Sequence, residues 1–69
     1  MLKLKLNSRF YNKTAIDKTI KDYSSLGNIK SIKKGDYFII SFDKIDLDVK
    51  KIITDEFSNY ALAQMIKNK

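Results

Sequence analysis

The sequence predicts an α+β domain, a two-layer β-α-β-β-α sandwich in which a small three-stranded sheet carries two helices on one face. Three observations predict it. Leu2, Leu4 and Leu6 alternate with Lys3, Lys5 and Asn7 at the period of a strand. Two longer segments place apolar residues at helical spacing. Between them, two apolar runs are joined by the turn Lys34-Gly35-Asp36. The 69 residues allow one domain, residues 1–69, near the lower size limit for folding alone. No cysteine is available for a disulfide or thiolate–metal staple, so the core must come from packing the 43% of residues that are apolar.

The first strand is expected from Leu2 to about Arg9, half-buried, with its lysines on the far side of the leucines. Asn12 is a candidate N-cap, because its side-chain oxygen can accept an orphan helix N–H. Tyr11 before it and Ile16 beyond it are spaced for a hydrophobic staple. Ile16, Thr19, Ile20 and Tyr23 share one face of a helix expected over Lys13 to Leu26, with Gly27 as a left-handed C-terminal cap. Ile29 to Lys33 and Tyr37 to Phe42 are expected as hairpin strands. The latter is apolar on both faces and should lie inside the sheet. Asp46 is a candidate cap for a last helix over Leu47 to Lys67, with Val49, Ile53, Phe57, Tyr60 and Gln64 along its main stripe. Ile45, Leu47 and Val49 also alternate, which leaves open a short extra strand before a shorter helix.

Composition removes most active-site chemistry. Without cysteine or histidine, the soft and imidazole ligands of zinc are missing, as are Cys–His pairs and the Ser-His-Asp triad. No apolar run approaches a membrane span, and the alternating N-terminus is not a signal-peptide core, so no membrane is expected and a cytoplasmic location is. Asp43, Asp46 and Asp48, followed by Asp55 and Glu56, lack the glycine and spacing of a calcium loop and read as helix-start acids. The expectation is a protein that is not an enzyme and holds no cofactor or metal.

Charge points towards binding. The net charge is +6, and thirteen of the fourteen cations are lysine. Residues 1–34 hold nine cations and two acids, net +7, whereas residues 35–69 are net −1. Lys3, Lys5, Lys30, Lys33 and Lys34 form a candidate basic patch that could follow phosphates or an acidic peptide. Lysines that discourage edge-to-edge strand pairing explain the same residues. Lys34 to Ser41 partly matches an RNA-recognition signature through Lys34, Gly35 and Phe38, but Asp36 and Ser41 stand where stacking aromatics belong. In the last helix, Tyr60 to Ile66 is apolar nearly all round, and Leu62, Met65 and Ile66 leave the main stripe. With Asn59 they form a candidate partner-binding surface, for a homodimer or another protein; a helix end that wraps against the first strand or the hairpin explains the same apolarity.

Several of these segments together resemble the small HxsD-like proteins of His-Xaa-Ser peptide-maturation systems. The resemblance is carried by Phe10-Tyr11, Ala15-Ile16 with Ile20, Asp22-Tyr23-Ser24, Tyr37-Phe38-Ile39-Ile40, and the run Asp55-Glu56-Phe57-Ser58-Asn59-Tyr60-Ala61-Leu62. It implies a bacterial-type accessory protein that docks a radical-SAM maturase, its ribosomally made precursor peptide, or both. Any iron–sulfur cluster or S-adenosylmethionine would then belong to the partner enzyme. The precursor could bind by strand addition at a sheet edge. A small basic nucleic-acid-binding module is the alternative.

Overall fold

A computed structural model describes residues 2–67. The chain runs β1 (Leu2–Asn7), α1 (Lys13–Asp22), a 3₁₀ turn (Ser24–Leu26), β2 (Asn28–Lys34), β3 (Tyr37–Asp43), α2 (Leu47–Lys50) and α3 (Ile53–Lys67). The sheet order is β1-β3-β2 with both pairs antiparallel, so the doubly apolar strand β3 is the central one. The α+β class therefore holds: a three-stranded antiparallel sheet with helices on one face.

Register follows from the pleat. Leu2, Leu4 and Leu6 oppose Phe42, Ile40 and Phe38, and Ile29 opposes Phe42 from the other side. These residues turn towards the helices, where Ile16, Ile53 and Phe57 complete the core. Phe57 meets Phe42 edge-on at 5.5 Å between ring centroids and Tyr23 at 5.9 Å. Thr19 is fully buried on α1, and its hydroxyl donates to the Ala15 carbonyl at 2.7 Å. Among the described residues no buried side-chain nitrogen or oxygen lacks a hydrogen-bond partner.

Several boundaries differ from expectation for local reasons. β1 stops at Asn7, not Arg9. The Asn7 side chain accepts the Arg9 N–H at 2.8 Å, and its carbonyl accepts from Phe10 and Tyr11, which bends the chain into a turn. Asn12 caps α1 as expected, accepting the Ala15 N–H at 2.8 Å, and Tyr11 packs against the cluster that contains Ile16. The helix ends at Asp22, and Ser24–Leu26 tightens into a 3₁₀ turn. Gly27 is thus not a helical αL cap. It sits at φ 156° and ψ −171°, a positive-φ conformation outside the αL region, and lies against the chain leaving β3.

The last helix is two pieces. Ile52 donates to Val49, one residue short of α-helical spacing, and the Ile52 carbonyl then accepts from Glu56 as α3 begins. Asp46 precedes α2 as expected, yet its backbone carbonyl accepts from Val49 and Lys50 while its side chain caps nothing. Residues 45–49 form no extra strand.

Candidate functional site: the open face of the sheet

The pleat that sends the leucines of β1 inwards sends Lys3 and Lys5 outwards. The two registers set three rows across the open face: Lys3–Ser41–Lys30, Lys5–Ile39–Ile32 and Asn7–Tyr37–Lys34. Four lysines stand on the outer strands, and Tyr37, Ile39 and Ser41 run down the middle. Two strand spacings separate the lysine-bearing strands by about 10 Å, and the rows extend over about 14 Å. Lys3, Lys5 and Lys34 join Ile32, Tyr37 and Ile39 around an open depression of 610 Å³. Ile32 is 61% exposed.

Lys33 does not belong to this cluster. It opposes Phe38, whose side chain is buried on the helix side, so the pleat directs Lys33 away from the open face. The basic patch read from sequence is therefore four residues, not five. Ile32 was missed, although its parity with Lys30 and Lys34 was the available signal.

Tyr37 is the aromatic residue of the open face, and the Lys5 ammonium sits 4.2 Å from its ring centroid. Phe38, the central aromatic of the partial RNA-recognition match, is in the core and presents no face to a base. Asp36 in the hairpin turn and Asp43 at the far end of β3 are both exposed and bound the lysine cluster at its two ends.

The candidate surface on α3 divides. Asn59 is exposed, Leu62 is 43% exposed and Ile66 is 67% exposed. Met65 instead turns back to the loop before α1, where its sulfur accepts the Asn12 N–H at 3.3 Å. Met65 is thus a clasp between the helices' ends and leaves the exposed pair Leu62 and Ile66. Phe10, Leu47 and Ile52 are further exposed apolar residues that the sequence does not mark as surface. Leu62→Asp and Ile66→Asp should each leave folding stability within about 0.5 kcal/mol of the parent, since neither exposed side chain fills the core. Urea denaturation checks this, and a large loss would place them in the core after all.

The seam between α1 and α3 is polar at its rim. Tyr60 donates to the Asp22 carboxylate at 2.5 Å, and Tyr23 lies edge-on to Tyr60 at 5.2 Å. The hydrogen bond to Asp22, followed by desolvation, raises the Tyr60 pKa above the ordinary phenol value. Burial raises that of Tyr23, with Glu56 adding in the same direction. Both folded values lie above the unfolded one of 10.0. Their stabilisation is therefore complete below that pH and is lost as pH rises through the folded values. Stability should fall at strongly alkaline pH, and Tyr60→Phe should flatten that fall. Tyrosinate absorbance across a pH titration, with denaturant melts beside it, measures both.

Among the described residues, no group of three or more acidic side chains is placed to hold a metal ion. No helix there is long and apolar enough to cross a membrane. Fold and surface together define a class, a small α+β domain with an uncovered, lysine-bearing sheet face. Searches against protein-family models, curated proteins and solved structures find no match to the chain.

Proposed function

We propose that this chain is a non-catalytic, cytoplasmic binding protein. Its role is that of the HxsD-like accessory proteins it resembles, docking a radical-SAM peptide maturase, its precursor peptide, or both. The observation that carries the binding role is the open sheet face, where four lysines surround an apolar floor that no element among the described residues covers. The absence of cysteine and histidine agrees with chemistry carried out by a partner. The neighbouring genes test the maturation role: a radical-SAM enzyme and a short precursor are expected there, and the enzyme is expected to co-purify with the chain. Neighbours of neither kind overturn it.

The four lysines also favour a second reading, a nucleic-acid-binding module. Two features weigh against it. Phe38 is in the core, and the sole arginine, Arg9, lies outside the sheet in the turn after β1. Base recognition draws on free aromatic faces and on the planar arginine fork.

A further inference from the structure

We infer that the open sheet face binds a short acidic amphipathic helix, whose apolar stripe rests on Tyr37, Ile39 and Ile32 while flanking carboxylates meet the lysines of both outer strands. The inference rests on the binding role proposed above and names the surface and the chemistry of its ligand.

The geometry selects the ligand's shape. The floor is apolar at Tyr37, Ile39 and Ile32, with Ser41 continuing the central strand, and cations stand on both sides of that strand: Lys3 and Lys5 on β1, Lys30 and Lys34 on β2. An extended peptide sends alternate side chains to opposite faces, so it would lay one row of side chains on the sheet. A helix presents an apolar stripe with polar positions along each flank. Its diameter of about 10–12 Å also matches the separation of about 10 Å between the two lysine-bearing strands. The rows cover about 14 Å, enough for two to three helical turns.

Charge selects the ligand's chemistry and its length. Among the described residues every cation on this face is a lysine, a flexible point charge suited to single carboxylates. The aliphatic floor, with Ile32 largely exposed, accepts leucine-like side chains better than base planes. Asp36 and Asp43 close the two ends, and a polyphosphate chain running past the lysines would meet both anions. A short acidic helix fits between them. On its other face, the sheet already packs helices in this manner, with α1 and α3 over the core.

The test uses a fluorescent synthetic peptide with leucines at i, i+3, i+4 and i+7 flanked by glutamates, its glutamine-for-glutamate counterpart, and a labelled oligothymidylate. The acidic peptide is expected to bind, and the neutral peptide to bind at least about fivefold more weakly. Lys3→Gln/Lys34→Gln, which removes one cation from each outer strand, is expected to cost about fivefold to tenfold in affinity. Lys21→Gln/Lys50→Gln removes the same charge from exposed helix positions and should change little. Circular dichroism confirms that both variants are folded.

Equal losses in the two double variants overturn the inference, because net charge alone would then explain binding. So does a preference for the oligothymidylate with a log–log salt slope of about −3, the value for some four phosphates on a single strand. Self-association abolished by Lys3→Gln/Lys34→Gln overturns it in favour of a second copy of the chain. A maturase that co-purifies equally with the parent and with this variant overturns the sheet-face docking while leaving the accessory role standing.

Discussion

Phe57→Ala should be the most damaging single truncation, costing about 3–5 kcal/mol. Phe57 is fully buried on α3 and belongs to the core cluster between sheet and helices. It meets Phe42 of the central strand and Tyr23 at the end of α1, both edge-on. Removing the ring deletes its transfer free energy and both aromatic contacts, each worth about 0.5–1.5 kcal/mol beyond area. A domain of this length has a total stability of about 3–10 kcal/mol, so the loss takes a large fraction of the total and should shift the urea midpoint steeply downwards. Phe57→Leu keeps most of the volume and should retain a cooperative transition at lower urea. An unaltered midpoint for Phe57→Ala would mean that the helix layer contributes little to the core.

Gly27→Ala should cost about 2–3 kcal/mol, an effect out of proportion to one methyl group. A Cβ there would overlap the Ile45 Cδ1 and lie 2.8 Å from the Asp43 carbonyl oxygen and 2.9 Å from that of Lys44. Ile45 is buried, and the two oxygens belong to the backbone and cannot step aside as a side-chain end can. The φ of 156° adds strain for any L side chain. Gly35, in the hairpin turn, separates the two contributions. Its φ is 61°, but nothing lies near its missing Cβ, so Gly35→Ala should cost only about 1 kcal/mol, the αL penalty alone. Urea denaturation of the pair gives the comparison. Equal costs would show that conformation, not close approach, explains Gly27.

These two sites mark where sequence reasoning reached and where it stopped. Phe57 was legible, because its place in the Val49–Gln64 stripe follows from helical periodicity. Gly27 was recognised as special for the wrong reason. A helix-capping glycine and a glycine crowded by distant backbone look the same in one dimension, and only the approach of residues 43–45 distinguishes them. The same limit explains Met65, which was assigned from local spacing and is drawn to Asn12 across the helix layer. Lys33 is different, since strand alternation alone gives it the opposite parity to Lys30 and Lys34.

Local chemistry determined a good deal by itself. Alternation set the strands, Asn12 started α1, and the strongly apolar run of β3 marked it as the interior strand. The charge asymmetry between the two halves was likewise visible in the residue order. Tertiary structure decided how that charge is used. Four lysines from two strands that never pair with each other become one surface because β3 lies between them in register. Pairing register is a long-range choice made by the whole core, so no local pattern could have placed an apolar floor between two lines of cations.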